Sequence, residues 1–579
     1  MRFAIRFDLG APRPWEDGAE QRVLAQTLEQ AEVADRLGYD RIWVPEHHFL
    51  EEASNASAPA VFLAAASQRT RSIGLGLGPV PLAPGAVHPA RVAEAVATLD
   101  LISGGRVALA TGELATGAEL GGFGIDRDTR REQWAEALEV VARMLVETPF
   151  AGTDGRHLTM PARNVVPKPL QRPHPPLWMG CAGQDAVVLA AERGLGALAG
   201  TFVEPEEAAA WVAAYDAALV SGRCAPIGFA VAPAVAVAVP MLVHHDEAQA
   251  IARGLDGAHF LAYAAGHYVA FGEHRPGRTS VWDEFERRRG DVGLARQAVR
   301  ADGTPLSVRV LAGGLASLRG AIGTPDQVRD LVRRYDDAGV DELVLCVQAG
   351  RTEHAHVVEA LELFAAEVLP GFAAAPERDA ARRARRDEAV ARALMRRPSP
   401  RKADRGAVFG ARDGAAAAQT HAAAPAGWTR RPRVVALRAA AQDRAEQGLR
   451  AFVAGAGDER LERTIGSRAG LRAVFAAMAR RFVPEQAGGF AGDIQYDLRG
   501  AGDTLVTWTV TVDGERATAR PGPAESPALT IKLTRADFAR LAGGDLDPVK
   551  ALLTGRLDLE GDFGVAMRLG AMFGLPAGM

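Results

Sequence analysis

The chain has 579 residues, of which 48% are hydrophobic and 24% are charged, and its formal net charge is -4. This balance is typical of an ordinary soluble protein and provides no global basic field that would attract nucleic acid or an anionic membrane. Because single hydrophobic cores stop growing near about 250 to 300 residues, the length predicts two domains.

Cysteine usage and the N-terminal sequence both predict a cytoplasmic protein. The three cysteines are far apart and odd in number, which leaves neither a disulfide framework nor a C-x-x-C metal site: Cys181, Cys224 and Cys346. The chain begins directly with an alternating strand pattern and lacks the basic and apolar regions of a signal peptide. Residues 225–243 are uncharged, but prolines interrupt them and valines recur with period two, so we expect a buried strand there and no membrane span.

The chain up to Phe372 alternates between strand and helix patterns. Eight strand candidates occur, which is the number of strands in a (β/α)8 TIM barrel. They are Arg2 to Asp8, Arg41 to Pro45, Ser72 to Val80, Arg106 to Thr111, Pro176 to Gly180, Leu195 to Ala199, Phe229 to Val243, and Glu342 to Val347. Helical patterns between them include Arg91 to Leu101, Arg131 to Val146, Asp185 to Glu192, Pro205 to Leu219, and Pro325 to Ala338 with Thr324 as N-cap. Residues 244–310 fit no such unit, and we expect them to form a lid-like insertion over the barrel mouth.

The second strand candidate ends in chemically active side chains. Its apolar run, Ile42 to Val44, is stopped by Pro45 and followed at once by Glu46 and two histidines. A helical pattern closed by Gly38 precedes it, which completes one unit of an α/β barrel. Because catalytic groups of such barrels lie at the C-terminal ends of the strands, we expect Glu46 and His47 to belong to a catalytic site.

The composition changes sharply after Phe372. An Ala/Arg-rich run is followed by a Pro, Gly and Ala stretch, and we interpret residues 373–433 as a linker whose first part can form a charged helix with a solvated basic face. Residues 434–579 predict a second domain of the α+β class. Its helix patterns are Val434 to Phe452, Leu461 to Phe482, Arg535 to Leu541 and Pro548 to Leu553; its strand patterns are Gly492 to Arg499, Thr504 to Val512, Glu515 to Arg520 and Ala528 to Leu533; an apolar segment, Val565 to Phe573, ends it.

Four short motifs in the first part of the chain occur in the order of a known family. They are Glu46 to Phe49, His88 to Arg91, Leu99 to Arg106 and Pro167 to Pro176. Over about residues 1–372 the chain therefore resembles the bacterial luciferase-like flavin monooxygenases. The run from Gln348 through His354 to Phe364 is similar to the branch of limonene-type monooxygenases.

This resemblance implies a TIM barrel with reduced FMN lying across the C-terminal mouth, where the flavin reacts with O2 to oxygenate an organic substrate. A flavin reductase would supply the reduced FMN, and a homo-oligomer is compatible with the family. His47 matches the catalytic histidine, whose imidazole can move protons at pH 7. Glu46 matches a flavin-pocket carboxylate that orients a ring proton or the histidine, while His48 is interpreted as structural.

Two further stretches match the family's cofactor site. Gly78 and Pro79, at the end of the third strand, fall where the family has small residues and often an unusual cis peptide under the flavin ring. After the fifth strand, a small-residue loop enters a helix whose backbone N–H groups favour a phosphate such as that of FMN. The candidate residues in this loop are Gly180, Cys181, Ala182, Gln184 and Asp185.

The fourth strand departs from the luciferase pattern. Where the luciferase subunit has a phosphate-binding arginine, this chain has Ala110-Thr111-Gly112-Glu113, so Thr111 and Glu113 are cofactor candidates without the expected cation. The Thr-Gly-Glu run is closer to relatives that use the deazaflavin F420 for hydride transfer. We therefore expect an FMN monooxygenase, with an F420-dependent oxidoreductase as the alternative. The alternative from another class is a lipid-binding or sensing protein without catalysis.

Several pieces of the last part of the chain, from about Arg438, match a second family. They include Phe482 to Pro484, Gly492 to Leu498, Leu529 to Leu533 and Leu552 to Asp562. This part resembles the sterol carrier protein 2 (SCP2) family, which implies an apolar tunnel for lipids or acyl chains. Candidate lining residues, each also explained by core packing, are Phe538, Leu552, Met567, Leu569, Met572 and Phe573. A tethered carrier predicts a hydrophobic substrate that both domains handle.

Overall fold

The structure is a computed structural model that describes residues 1–288, 321–372, 380–403 and, with short gaps, 453–573. By its internal contacts the chain divides into two units, Met1–Ala407 and Val408–Met579. Each unit has a hydrophobic core of its own, and the two are described separately.

Eight parallel strands of the first unit close into a TIM barrel. The strands of this unit are β1 (Arg2–Arg6), β2 (Arg41–Val44), β3 (Gly74–Pro81), β4 (Val107–Gly112), β5 (Thr153–Asp154), β6 (Thr159–Met160), β7 (Leu177–Cys181), β8 (Gly196–Phe202), β9 (Val235–Val243), β10 (Ala321–Gly323) and β11 (Glu342–Cys346). The barrel order is β9-β11-β1-β2-β3-β4-β7-β8, and pairing of β8 with β9 closes the ring. All the predicted barrel strands are confirmed, whereas the β5–β6 hairpin and β10, which pairs with the end of β9, were not predicted.

Helices connect the strands and cover the outside of the barrel. They are α1 (Ala19–Leu37), α2 (Pro59–Arg69), α3 (Pro89–Ile102), α4 (Gly117–Phe123), α5 (Arg130–Val146), α6 (Gln184–Glu192), α7 (Pro205–Val220), α8 (Glu247–Gly266), α9 (Val281–Arg288), α10 (Pro325–Asp337), α11 (His354–Glu367) and α12 (Ala380–Arg396). The predicted helices are confirmed, with ends shifted by a residue or two. Gly38 ends α1 with a left-handed φ of 84°, and Thr324 forms a capping box with Gln327 at the start of α10.

Two tryptophans fill the inside of the barrel. Trp43 and Trp178 are buried and meet edge to face, with their ring centroids 5.6 Å apart. A Cβ atom at Gly76 would lie 2.2 Å from Cε3 of Trp43, and one at Gly196 would lie 2.5 Å from the ring of Trp178. The buried carboxylate of Glu342 accepts a hydrogen bond of 2.8 Å from the Trp43 indole. Glycines on neighbouring strands therefore provide the room that the indoles occupy, and the barrel is a packed core.

The insertion begins with α8, a π-helical turn (His267–Phe271) and α9, and its remainder, from residue 289, falls outside the described residues. Glu52, in the loop after β2, is 0% exposed. Its carboxylate accepts hydrogen bonds from the N–H groups of Val281 at 2.6 Å and Trp282 at 3.2 Å, and from that of Arg13 at 2.8 Å. A carboxylate from another segment thus caps α9, which attaches the insertion to loops at the C-terminal ends of the strands. Its role as a lid stays a prediction.

A chain of two histidines with a carboxylate at each end attaches the insertion a second time. Glu51 Oε1 lies 3.1 Å from His274 Nε2, His274 Nδ1 lies 3.4 Å from His267 Nε2, and His267 Nδ1 lies 3.2 Å from Glu284 Oε2. Burial acts to raise the pKa of Glu51, but hydrogen bonds from the Gly277 N–H, His274 and a nearby arginine outweigh it and lower that pKa below its ordinary value. Glu51 is therefore ionised at neutral pH and holds both donors of the insertion.

Helix α12 lies within the segment predicted as a linker, but it packs on the barrel. Arg386 is 4% exposed and donates hydrogen bonds to Asp216 at 2.6 Å and Asp341 at 3.0 Å. Just past the end of the helix, Arg397 donates to the carbonyl of Ile227 at 2.7 Å. Asp341 and Ile227 precede β11 and β9, so α12 lies across the N-terminal face of the barrel. Part of its basic face is buried in ion pairs and is not solvated.

The second unit is built on a five-stranded mixed sheet. Its strands are β12 (Gly492–Arg499), β13 (Leu505–Val512), β14 (Ala517–Pro521), β15 (Leu529–Thr534) and β16 (Leu557–Gly561), in the order β14-β13-β12-β15-β16, and its helices are Asp458–Arg463, Arg468–Arg480, Arg535–Gly543 and Phe563–Met572. The first four strands were predicted and β16 was not. Several predicted segments fall largely or wholly outside the described residues. They are the helices over 434–452 and 548–553, and residues 373–379 and 404–433 of the predicted linker. The linker bounds stay a prediction.

An aromatic stack joins the sheet of the second unit to its helices. Phe475 lies between Trp508 and Phe538, with ring centroids 4.7 Å and 5.0 Å away. Met572 and Phe573 are buried in the same core. Leu569 packs against that core, and the side chains of Leu552 and Met567 lie outside the described part. These positions fit core packing, and a tunnel between them stays a prediction.

Across the parts of the chain that the structure describes, no helix has both the length and the apolar character needed to cross a bilayer. The uncharged stretch 225–243 contains the buried strand β9, as predicted.

Replacing Gly76 by alanine should destabilise the barrel, because the added methyl group would overlap the Trp43 ring. Overpacking of this kind costs about 1 to 3 kcal/mol, which urea unfolding followed by tryptophan fluorescence measures. Gly121→Ala is the matched control, since a Cβ atom there meets nothing within 4 Å and lies within α4. It should leave stability unchanged or raise it by about 0.5 to 1 kcal/mol. Equal effects of both substitutions would contradict the packing argument.

Candidate active site

His47 lies at the C-terminal end of β2 above a buried carboxylate from α4. Its Nδ1 atom is 3.3 Å from Oε1 of Glu119, and the same oxygen accepts a hydrogen bond of 3.1 Å from the backbone N–H of His48. The Thr116 hydroxyl donates to Oε2 of Glu119 at 2.8 Å. The Glu119 side chain is 2% exposed and that of His47 is 29% exposed. The imidazole of His47 is therefore accessible, and the buried carboxylate of Glu119 holds it in place.

The charge of Glu119 decides which nitrogen of His47 carries a proton. Burial acts to raise the pKa of Glu119, but the contacts with His47, the Thr116 hydroxyl and the His48 N–H outweigh it and lower that pKa below its ordinary value. Glu119 is thus ionised at neutral pH and accepts a hydrogen bond from Nδ1–H of His47. This leaves Nε2 as the ring nitrogen that can exchange a proton with a bound molecule.

Glu46 pairs with His48. Its Oε1 atom lies 3.2 Å from Nε2 of His48, and the His48 ring packs edge-on against Phe123 with centroids 5.0 Å apart. The expectation that Glu46 orients His47 is therefore corrected, because Glu119 occupies that position. A role of Glu46 toward a flavin stays a prediction.

Three glycines, Gly78, Gly112 and Gly180, lie next to Pro79 at the ends of β3, β4 and β7, and we call this group the glycine floor. The Gly78–Pro79 peptide bond is cis. A Cβ atom at Gly78 would lie 2.2 Å from the carbonyl oxygen of Ala110, and one at Gly180 would lie 2.9 Å from Cγ of Pro79. A Cβ atom at Gly112 would lie 3.6 Å from Cβ of Pro79. These glycines leave room for the Pro79 ring, and contact of Gly78 with a flavin stays a prediction.

The side chains of Thr111 and Cys181 are buried and bonded elsewhere. The Thr111 hydroxyl accepts a hydrogen bond of 3.0 Å from the Trp134 indole of α5. The Cys181 thiol donates to the Met179 carbonyl at 3.3 Å, and burial raises the pKa of this thiol. Both side chains therefore have partners within the protein, and a cofactor role for either residue stays a prediction. The neighbouring candidates Ala182, Gln184 and Asp185 are exposed around the start of α6.

Glu113 is paired with two arginines at the start of α5. Its Oε2 atom lies 3.0 Å from Nε of Arg130, and its Oε1 atom lies 2.6 Å from Nε of Arg131. The hydrogen bond with Glu113, aided by the charges of Glu113 and Asp185, raises the pKa of Arg131 despite partial burial. Arg131 is 59% exposed. The sequence after β4 lacks the luciferase arginine, as predicted, but α5 brings two arginines to Glu113; which group holds a phosphate stays a prediction.

A further acceptor lies just past the end of β1. Asp8 is 4% exposed, and Arg6 donates two hydrogen bonds, of 3.0 Å and 2.6 Å, to its Oδ1 atom. Among the described residues, Oδ2 of Asp8 has no hydrogen-bond partner. A buried carboxylate oxygen of this kind can accept a hydrogen bond from a molecule bound at the barrel mouth.

The sequence prediction missed Glu119, Arg130 and Arg131. Thr116 and Glu119 have the spacing of a capping box, a visible but local signal that does not reveal the contact with His47. Arg130 and Arg131 stand at the start of α5, where the positive end of the helix dipole disfavours cations. Their position was the signal that an acidic partner such as Glu113 lies nearby.

Comparison with known families agrees with this geometry. Residues 1–342 match the family described as luciferase-like monooxygenase. The chain belongs to the luciferase-like monooxygenase family. Residues 479–574 match the SCP-2 sterol transfer family, so the second unit of this luciferase-like protein is an SCP2 domain. The predicted fusion of the two families is confirmed.

Two similar curated proteins are named as monooxygenases. The limonene 1,2-monooxygenase of Rhodococcus erythropolis is 39% identical over 155 residues, which cover 26% of this chain and 39% of that protein. The 4-hydroxyprotoasukamycin monooxygenase of Streptomyces nodosus subsp. asukaensis is 39% identical over 122 residues, covering 21% and 32% respectively. The matched stretches span less than half of either relative.

A solved structure supports the barrel fold. The crystal structure of monooxygenase RslO1 from Streptomyces bottropensis superimposes with a TM-score of 0.50 at 24% sequence identity. The superposition covers 64% of this chain and 100% of RslO1.

The acid stability of the barrel should depend on Glu119. Because its folded-state pKa lies below the ordinary value of 4.5, ionised Glu119 stabilises the fold above that pH, and the contribution is lost as pH falls through the folded-state pKa. Glu119→Gln should therefore lower the free energy of unfolding at neutral pH and make it fall less steeply below about pH 4.5. Urea unfolding at several pH values measures both changes. Glu16→Gln, at a side chain that is 79% exposed, should change neither, and parallel pH curves for Glu119→Gln and the wild type would contradict the linkage.

Proposed function

We propose that the barrel is a monooxygenase that uses reduced FMN and O2 to oxygenate a hydrophobic small molecule. The observation that carries this proposal is the glycine floor next to the pair of His47 and Glu119. The two are joined by the backbone, since the N–H of Glu46 donates to the Pro79 carbonyl at 3.1 Å. The floor suits a planar flavin ring, and His47 provides a group that exchanges protons beside it. Membership of the luciferase-like family supports the same function.

When bound, reduced FMN would supply the electrons for activating O2. The protein's part is to hold the ring on the glycine floor, to exclude water and to move a proton at Nε2 of His47. Glu119 keeps His47 in one orientation and tautomer, so the imidazole needs no rearrangement before it acts. The loop residues Glu51 and Glu52 hold the insertion near the mouth, where it limits access of water.

Arg131 and the start of α6 are suited to hold the FMN phosphate. The guanidinium of Arg131 is exposed, and Glu113 fixes it through Nε, which leaves its outer N–H groups for an anion. Backbone N–H groups at Gln184 and Asp185 open α6 and favour negative charge. A phosphate bound between them would accept charge-assisted hydrogen bonds from Arg131. The helix dipole of α6 would stabilise its negative charge from the other side.

The SCP2 domain supports a hydrophobic substrate class. A tethered carrier raises the local concentration of an apolar molecule that is scarce in water, and a dry site gains from such a substrate. Reduced flavin would come from a separate reductase, because the proposed site consumes reduced FMN. The F420 alternative rests on the sequence at residues 111–113 alone, and the titration below separates the two cofactors.

Anaerobic titration of the full chain with reduced FMN, reduced riboflavin and reduced F420 tests the cofactor. Reduced FMN should bind more tightly than riboflavin, which lacks the phosphate, and F420 should not compete. Arg131→Gln should weaken FMN binding by about 10-fold or more, the value of a hydrogen bond to a charged group, and leave riboflavin binding unchanged. Arg156→Gln, exposed and paired with Glu132, is the matched charge control. Tighter binding of F420 would replace the proposed reaction with hydride transfer.

Replacing His47 by alanine should leave reduced FMN bound but slow the reaction with O2. Loss of a general acid or base costs about 10²- to 10⁴-fold, and the pH dependence that the imidazole imposes should disappear with it. Rapid mixing of the anaerobic complex with O2, followed by flavin absorbance at several pH values, measures both. His48→Ala should change the rate less, since His48 is paired with Glu46. A rate and pH profile like those of the wild type would remove His47 from the mechanism.

A further inference from the structure

A cleft on the N-terminal face of the barrel lies far along the strands from the proposed flavin site. It separates the end of α12 from the segment 222–227 and has a volume of about 430 Å³. Four arginines and one carboxylate provide its charged lining: Arg193, Arg223, Arg396, Arg397 and Glu139. We call it the α12 cleft.

Neutral groups fix two of these arginines in place. Nη2 of Arg396 donates to the Cys224 carbonyl at 3.2 Å, and Nη2 of Arg397 donates to the Ile227 carbonyl at 2.7 Å. The Arg397 guanidinium also lies over the Phe229 ring, 4.6 Å from its centroid. Carbonyls and a ring orient a guanidinium without cancelling its charge, so both cations remain available to an anion.

Carboxylates neutralise the α12 cleft only in part. Arg223 is paired with Glu192 at 3.2 Å. Within the described ranges, no carboxylate lies within 4.0 Å of the guanidinium groups of Arg193, Arg396 or Arg397. The buried Nε atom of Arg397 has no hydrogen-bond partner among the same residues. Burial is the main cause that lowers the pKa of Arg397; the charges of Glu139 and Glu147 oppose it, and those of Arg143 and Arg401 add to it.

We propose that the α12 cleft binds a small phosphorylated molecule, with the phosphate between Arg193, Arg396 and Arg397. Guanidinium groups present paired N–H donors that match phosphate oxygens, and they are preferred where planar recognition of an anion is needed. The volume lies within the range of small-molecule sites and leaves room for an organic part beside the phosphate. Arg396 is the last residue of α12, Arg397 follows it, and Arg193 belongs to the barrel. A ligand bound to all three would therefore hold the end of α12 on the barrel.

Titration calorimetry of the full chain with glycerol 3-phosphate, and with glycerol as the uncharged control, tests this site. The wild type should bind the phosphate ester and not glycerol. The double variant Arg193→Gln, Arg396→Gln should bind it about 10-fold or more weakly, because two charge-assisted contacts are lost. Arg392→Gln lies on the same helix, is paired with Glu388 and should bind like the wild type. If the double variant does not fold, the exposed single variant Arg193→Gln replaces it.

The same experiment separates this site from the proposed flavin site. Arg131→Gln should keep glycerol 3-phosphate binding, whereas the double variant should keep FMN binding. Loss of the phosphate ester in Arg131→Gln would place it at the barrel mouth and overturn the proposal. Absence of binding to the wild type, or equal affinity in the double variant, would overturn it as well. Hydrogen exchange over residues 390–400 should slow with the ester bound, and unchanged exchange would contradict the contact with α12.

Discussion

The closing pair of strands, β8 and β9, is the interaction on which the rest of the barrel depends. Ala197 to Ala199 pair in parallel with Val235 to Val237, and this contact turns an open sheet into a ring. In a closed ring of parallel strands all carboxyl ends meet at one rim. The glycine floor and His47 come from β2, β3, β4 and β7, which are consecutive neighbours in the ring, so they lie side by side at this rim. Because tryptophans fill the interior, the barrel is a packed core and the proposed flavin site lies at the rim.

Pairing of charges is the second property of the rim. Glu46 lies against His48, Glu113 against two arginines, and Glu119 against His47. Each carboxylate is thus already oriented by a basic partner before any molecule binds. Fixed charges of this kind need no reorganisation during a reaction, and that property accounts for much of the electrostatic contribution to catalysis.

The eight barrel strands and four of the five strands of the second unit could be predicted because local signals agree with the fold. Each barrel strand is a short apolar run bounded by glycine, proline or a helix pattern, and parallel barrel strands are buried on both sides. The position of His47 followed from the same logic, since Pro45 ends its strand. Its partner could not be predicted, because Glu119 is 72 residues away in the sequence, on the short helix after β4, and comes near His47 only when β2, β3 and β4 pair. The partners of Glu113 could not be predicted either, because Arg130 and Arg131 lie at the start of α5, 17 and 18 residues along the chain.

Residues 380–396 illustrate where composition is ambiguous. Their alanines and arginines are typical of a solvated linker helix, and charge alone does not distinguish that case from a docked helix. The helix is docked because Asp216 and Asp341 of the barrel pair with Arg386. No local sequence pattern connects these two aspartates to Arg386. A buried arginine needs such partners, and here two carboxylates are available.

The position of α12 also decides how far along the chain contact with the barrel extends. Arg401, well beyond Phe372, still bonds to the barrel, since its N–H donates to Glu147 at the N-terminal face. Strand β9 has nine residues, so the barrel wall is about 30 Å high at roughly 3.3 Å per residue. Arg401 therefore lies about one wall height away from the rim where the flavin site is proposed.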